Sequence, residues 1–264
     1  MKFIGIIPSR YASTRFPGKP LADMLGKPMI QRVYEQVQHT VDRLYVATDD
    51  TRIEAAVKAF GGNVVMTSTH HRSGTDRCFE AFSKTDEDGD IIINIQGDEP
   101  FIQPEQIELL KTCFLTSDTQ IATLVKPFGA DSDFEKDLFN PNSPKVVINQ
   151  NREALYFSRS VIPYVRGKEH TKWPESHQFY KHIGLYAYRA DVLKVIVNLP
   201  PSPLELAEDL EQLRWLEHGY KISVEISHLE TMGIDTPEDM EKALAFLSKM
   251  KREKNDLLSP LITV

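Results

Sequence analysis

Near the N-terminus the chain reads IIPSRYASTRFPGKP, from Ile6 to Pro20. A short apolar run stops at Pro8, and the loop behind it brings in Arg10, Arg15 and Lys19 together with two further prolines and a glycine. Guanidinium groups take phosphate oxygens two at a time, and a lysine adds a point charge, so this loop suits a polyphosphate. A solvated basic loop would have the same composition. The stretch is neither GxGxxG nor GxxxxGK[ST], because Lys19 is followed by proline. That disfavours a Rossmann dehydrogenase and a P-loop NTPase.

Three further stretches carry chemistry. INIQGDEP (93–100) delivers Asp98 and Glu99 to the end of an apolar run, directly after Gly97. A carboxylate there can hold Mg²⁺, which takes few protein ligands and completes its shell with water and phosphate oxygens; a polar turn is the alternative. MGIDTPED (232–239) reads as a helix start, with Thr236 as N-cap, Pro237 at N1 and Asp239 at N3. That leaves Asp235 unemployed, as a second metal ligand or a plain loop acid. In HHRSGTDR (70–77), Ser73 and Gly74 just before a helix can present backbone groups to a base or ribose, with Arg77 one turn in. His70 and His71 have no His or Cys partner at zinc-like spacing. No GxSxG elbow is present, so the chemistry points to phosphate and Mg²⁺ without a covalent intermediate.

The elements that must position these groups follow from hydrophobic periodicity. Apolar runs at 4–8, 44–47, 64–66 and 90–95 read as strands. Helical spacing covers 29–39, 52–60, 75–83 and 103–114. Strands alternating with helices of about ten residues indicate βαβ units and a mainly parallel sheet, whose ligands bind outside the carboxyl ends of the strands. The regularity breaks after about residue 121. A hairpin is expected from 145–150 and 154–160 around Asn151, then a Pro- and charge-rich loop over 162–176. A strand at 182–189, one helix at 204–216, a strand at 222–226 and a helix at 237–247 follow. The expected organisation is one domain over 1–250 with an insertion at about 121–185, and a tail at 251–264.

Composition narrows the class. The chain has 264 residues, 41% hydrophobic and 26% charged, with formal net charge −7, so no basic stripe is available to track a nucleic-acid backbone. No stretch approaches the roughly 20 apolar residues that span a bilayer. MKFIGII is too short for a signal peptide and runs into a charged loop, so a cytoplasmic protein is expected. Cys78 and Cys113 are expected as buried thiols.

Taken together and in order, PSRYASTRFPGKPL, NIQGDEP, SGT-x-R, ALYFSRS, HIGLYAYR, LEQLR and GIDTPED resemble the 3-deoxy-manno-octulosonate (Kdo) cytidylyltransferases, the CMP-Kdo synthetases. The resemblance runs from about Ile4 to Leu247. It implies a Rossmann-like α/β nucleotidyltransferase fold with a partly antiparallel dimerisation and sugar-binding insertion. It further implies a homodimer, Mg²⁺ dependence, and the reaction of CTP with Kdo to CMP-Kdo and diphosphate for lipopolysaccharide synthesis. By motif, Ser9, Arg10, Arg15 and Lys19 would hold CTP. Ser73, Gly74 and Arg77 would contact the cytosine end, and Asp98 and Asp235 would ligate Mg²⁺. Lys19, Arg10, Asp98 and Asp235 would be the catalytic set. Gln96, Arg159, His182, Tyr186, Glu211 and Gln212 would face the sugar. Four of the last group have a plainer reading: Tyr186 as core, Glu211 as a solvated helix face, Arg159 as an ion-pair partner and His182 as a satisfied structural histidine. The 8-amino analogue of Kdo or a sialic acid stays open as substrate. A GT-A-like glycosyltransferase and a non-catalytic nucleotide-binding protein are the competing classes.

Overall fold

The computed structural model describes every residue except 117, 130–133, 230–231 and 259–264, and every side chain except those of 134, 135 and 250–258 as well. Its centre is a sheet of β1 (Phe3–Ser9), β2 (Arg43–Thr48), β3 (Val64–Met66), β4 (Ile91–Asn94), β5 (Ile121–Pro127), β8 (Tyr180–Arg189) and β9 (Ile222–Ile226), in the order β3-β2-β1-β4-β8-β5-β9. The β3-β2-β1-β4 half is parallel, as is the β5–β9 pair. β8 runs antiparallel between β4 and β5. A hairpin of β6 (Lys145–Ile148) and β7 (Ala154–Ser158) hangs from the end of β8.

The strands are apolar on both faces because helices cover both faces. On β1, Ile7 enters one core and Ile4 and Ile6 the other; on β4, Ile91 and Ile93 part from Ile92 in the same way. The first core is closed by α1 (Met29–Val37) and α4 (Pro104–Thr112) through Val33, Val37, Ile107 and Leu110. The second is closed by α3 (Gly74–Lys84), α6 (Ala190–Ile196) and α8 (Gln212–Glu217), through Cys78, Leu193, Leu213 and Trp215. Both cysteines are free and buried.

Several expectations change on contact with the structure. The stretch 121–185 begins and ends in the main sheet, since β5 and β8 are both central strands; the hairpin and the loop after it lie between them. The single helix expected at 204–216 is two, α7 (Pro203–Glu208) and α8, broken where Asp209 takes a left-handed backbone at φ 51°. A short polar side chain tolerates that conformation better than most. The break makes Glu211 the N-cap of α8 rather than a mid-helix acid. The last helix, α9 (Pro237–Leu258), runs past residue 250 into the tail expected at 251–264; the final six residues lie outside the described ones. The remaining helices are α2 (Thr51–Ala59) and the five-residue α5 (Phe134–Leu138). Among the described residues no helix is long and apolar enough to cross a membrane.

Candidate active site

The carboxyl ends of β1 and β4 lie side by side and open into a cavity of about 260 Å³. Two glycines allow this. A Cβ on Gly97 would sit 2.9 Å from the Pro8 carbonyl oxygen, so only glycine lets the GDEP turn approach the end of β1. Gly18, at φ +73°, turns the opening loop back under the Tyr11 ring, which a Cβ would meet at 2.9 Å. The loop therefore folds over the strand ends, and Ser9, Arg10, Arg15 and Lys19 line the cavity with Ser73, Gly74, Arg77, Gln96, Asp98 and Asp235.

Lys19 is the hub. Its Nζ donates to Asp98 Oδ2 at 2.8 Å and to the Ile234 carbonyl at 2.6 Å, and lies 3.5 Å from Asp235 Oδ1. Arg15 Nη2 reaches the same Asp235 oxygen at 3.2 Å. Asp235 arrives from the far end of the chain because the Ile234 amide donates to the Asp98 carbonyl at 2.9 Å. Ile234 itself is fully buried in a small core with Met24, Met29, Phe101 and Met240. The capping arrangement read at 236–239 is present: Asp239 N donates to Thr236 Oγ1 at 3.2 Å, and Asp239 Oδ2 accepts from the Thr236 amide at 3.1 Å. Asp235 is left with its carboxylate facing the cations.

These two carboxylates fit a Mg²⁺ ion. They converge on one positive charge already, and Mg²⁺ is commonly held by one or two carboxylates plus water and phosphate oxygens. Among the described residues no group of three or more His, Cys, Asp or Glu assembles into an all-protein metal cage.

The start of α3 adds a further wall beside the end of β1, where a Cβ on Gly74 would sit 3.3 Å from Pro8 Cγ. Ser73 caps the helix, its Oγ accepting from Asp76 N at 3.1 Å. Arg77, expected at the cytosine end, is committed to the protein: it donates to Thr67 Oγ1 at 2.6 Å and to Asp49 Oδ2 at 2.8 Å, and its side chain is only 5% exposed. Its flank still borders the cavity. The sequence reading passed over Glu80, whose carboxylate takes the Ser68 amide, His71 Nε2 and Lys84 Nζ. Burial acts to raise the Glu80 pKa, but those hydrogen bonds outweigh it and leave it at about 2. Arg72, which the sequence did not single out, also lines the cavity. Glu99, read with Asp98 at the end of the apolar run, has its carboxyl pushed up to about 7 by burial and by Asp98. Arg72 lies inside HHRSGTDR, where the helix start drew the reading to Ser73, Gly74 and Arg77.

Of the residues nominated for the sugar, Gln96 lies in the cavity wall and donates to the Gly184 carbonyl at 2.8 Å. His182 and Tyr186 follow along β8 with ring centroids 5.2 Å apart. His182 Nε2 contacts Thr123 Oγ1 at 3.0 Å, and burial pushes its imidazole down to about 3, so the ring is neutral near pH 7. Tyr186 and Tyr188 stack, and Trp215 meets both edge-on. Glu211 Oε2 accepts from Thr75 Oγ1 at 2.6 Å; burial raises its carboxyl, against hydrogen bonds from Thr75 and Ser73. Gln212 is 5% exposed, and its Nε2 has no hydrogen-bond partner among the described residues. Arg159 is held by the protein, donating to the Glu208, Pro141 and Asp209 carbonyls at 2.6, 3.0 and 3.0 Å.

A cation-lined cavity at the carboxyl end of an α/β sheet, with two carboxylates meeting at its floor, suits nucleotidyl transfer. The cytidylyltransferase family model matches residues 4–222. The chain belongs to the cytidylyltransferase family. Within that family, a 3-deoxy-manno-octulosonate cytidylyltransferase of Parabacteroides distasonis is 75% identical over 248 residues, covering 94% of this chain and 99% of that protein. One from Porphyromonas gingivalis is 58% identical over 250 residues, covering 95% and 98%. A solved CMP:2-keto-3-deoxy-manno-octonic acid synthetase complexed with CTP superposes at TM-score 0.85, with 45% identity over 95% of this chain and 100% of that one. A 4-diphosphocytidyl-2C-methyl-D-erythritol synthase from Anaerococcus prevotii, at 14% identity and TM-score 0.58 over 94% of this chain and 99% of that one, shares the cytidylyltransferase fold alone.

Proposed function

We propose that this protein activates Kdo as its cytidine monophosphate ester: CTP and 3-deoxy-manno-octulosonate give CMP-Kdo and diphosphate, a step toward lipopolysaccharide. The carrying observation is the meeting of Lys19, Asp98 and Asp235 beneath a cavity lined by arginines. The 75% identity to a Kdo cytidylyltransferase supports the choice of nucleotide and sugar.

The anomeric hydroxyl of the sugar attacks the α-phosphorus in line, the bond to the bridging oxygen breaks, and diphosphate leaves. No covalent intermediate is needed, so the protein contributes position and charge. Arg10, Arg15 and Lys19 bind the phosphate chain and stabilise the charge that collects on the departing diphosphate. Asp98 and Asp235 hold Mg²⁺, which when bound supplies Lewis-acid stabilisation and lowers the pKa of the attacking hydroxyl. Ser9, Ser73 and Gly74 position the nucleotide, with Arg77 bracing the wall behind it. Gln96, His182, Tyr186, Glu211 and Gln212 orient the sugar, and Arg159 fixes the β7 end next to α7.

We further read the active form as a cytoplasmic homodimer. Leu155 and Tyr164, 59% and 70% exposed in the section between β5 and β8, are the kind of apolar surface a second copy covers. Sedimentation at low concentration checks this; a monomer that turns over normally would remove it.

The test of the reaction is diphosphate release from CTP and Mg²⁺, with and without Kdo. Release that requires Kdo and is lost in Asp98→Ala supports the reading. Release with the 8-amino analogue or a sialic acid in place of Kdo would reassign the sugar, and no release with any of the three would sink the cytidylyltransferase function.

A further inference from the structure

The cations lining the cavity are not equivalent. Arg15 is paired with Asp235, Lys19 with Asp98 and Arg77 with Asp49, at 3.2, 2.8 and 2.8 Å. Arg10 and Arg72 line the same cavity and make no hydrogen bond or ion pair among the described residues. A phosphate that recruits a paired cation must first loosen an existing ion pair, whereas one that recruits a free guanidinium displaces only water. The structure thus singles out two side chains for first contact with an incoming anion, one of which, Arg10, the opening loop already nominated.

We infer that Arg72 is a further phosphate-binding residue of the nucleotide site, acting from the start of α3. The inference rests on the reading of this cavity as the CTP site and adds to it a residue from the β3–α3 loop. Arg72 directly precedes Ser73, the N-cap of the eleven-residue α3, whose unpaired amides and positive end favour an anion. Ser9 lines the same cavity at 4% exposure, and its Oγ has no partner among the described residues, a buried hydroxyl awaiting a ligand atom.

The loop that carries Arg72 is anchored while its side chain is left exposed. The Glu80 carboxylate accepts from the Ser68 amide at 2.9 Å and pairs with His71 Nε2 and with Lys84 Nζ, the latter at 2.6 Å. His70 N donates to Ser68 Oγ at 3.1 Å. The backbone on one side of Arg72 is therefore held by Glu80 and on the other by the Ser73 cap. Glu80 acts as a positioning residue through His71. Arg72 keeps the rotamer freedom it needs to find a phosphate, from a backbone that does not wander.

The experiment compares wild type, Arg72→Ala and Arg72→Lys in three measurements: steady-state kinetics with CTP and Kdo, inhibition by inorganic tripolyphosphate, and calorimetric titration of tripolyphosphate alone. Arg72→Ala should raise KM for CTP and weaken tripolyphosphate binding, each by about tenfold for one charge-assisted contact. kcat, KM for Kdo and the melting curve should stay as in wild type, and Arg72→Lys should recover part of the loss. Glu80→Gln, which keeps an acceptor for the Ser68 amide, should show a smaller rise in KM for CTP with kcat unchanged. Unchanged KM and unchanged tripolyphosphate binding in Arg72→Ala would overturn the assignment. A raised KM for CTP with tripolyphosphate unaffected would also overturn it, placing Arg72 on the base or ribose. The calorimetric arm keeps the two readings separate: a wild-type protein that releases no diphosphate refutes the function, while its tripolyphosphate affinity still decides for or against Arg72.

Discussion

Lys19 Nζ lies 2.8 Å from Asp98 Oδ2, and the same ammonium lies 3.5 Å from Asp235 Oδ1. One cation thus joins the opening loop, the end of β4 and the start of α9 at the point where a triphosphate and its metal would meet. Its side chain is 13% exposed, so its charge acts through less water than those of Arg10 or Arg72.

Lys19→Met should therefore lower turnover by about 10²- to 10³-fold, the loss typical of removing one preorganised transition-state donor. The fold should survive. The pairs are partly exposed, worth up to about 1 kcal/mol, which is about 2–4 °C in a chain this long. Diphosphate release and a melting curve on the same preparation check both halves. Normal turnover would remove Lys19 from the mechanism.

Asp98→Asn and Asp235→Asn should raise the Mg²⁺ concentration needed for half-maximal release by at least about tenfold, since even outer-shell changes at metal sites cost 10–100-fold. A Mg²⁺ titration of each variant measures this directly. If either variant keeps the wild-type requirement, that carboxylate does not hold the metal.

Arg77→Met should act on stability before it acts on CTP. Its side chain is 5% exposed and that of Asp49 16%, so removing the guanidinium strands a carboxylate in a dry wall. Breaking such a pair costs about 3–5 kcal/mol, or about 6–20 °C in melting temperature at this chain length. Adding Asp49→Leu should recover part of that loss. An undisturbed melting curve with a raised KM for CTP would return Arg77 to the nucleotide.

Glu80 predicts an acid limb in stability. Its pKa is about 2 in the folded protein against an ordinary 4.5, so the unfolded chain binds the proton first. The stabilisation is complete above about pH 4.5 and is lost as pH falls toward 2. Denaturant melts of wild type and Glu80→Gln should differ most above pH 4.5 and converge below it. Equal pH slopes in the two proteins would show that the Ser68–His71–Lys84 contacts do not depend on the carboxylate charge.

Local signals were legible. The alternating runs around residues 4–8, 44–47, 64–66 and 90–95 became β1 to β4, because strands buried on both faces have to be apolar throughout. Thr236-Pro237-x-Asp239 became a capped helix start, because capping is settled within one turn. The expected β6–β7 hairpin is present as well. β5 and α6 escaped because a short apolar run carries no periodicity that separates it from loop or helix, and their identity depends on pairing with β8 and packing on the second core. The division of 204–216 escaped because a left-handed Asp209 leaves no mark in composition.

The amino-acid sequence by itself determined the chemical inventory: three cations in a proline-braced loop, carboxylates at the ends of two apolar runs, and a serine cap before a helix. Tertiary structure decided which of these are free to act. Asp235 reaches Asp98 only because the Ile234 amide meets the Asp98 carbonyl over a buried methionine-rich core, a contact between distant parts of the chain. Arg77 is spent on Asp49 while Arg72 is left free, and nothing in HHRSGTDR separates them. Charge type is a property of a residue, but whether that charge is already neutralised depends on what folding brings within about 4 Å of it.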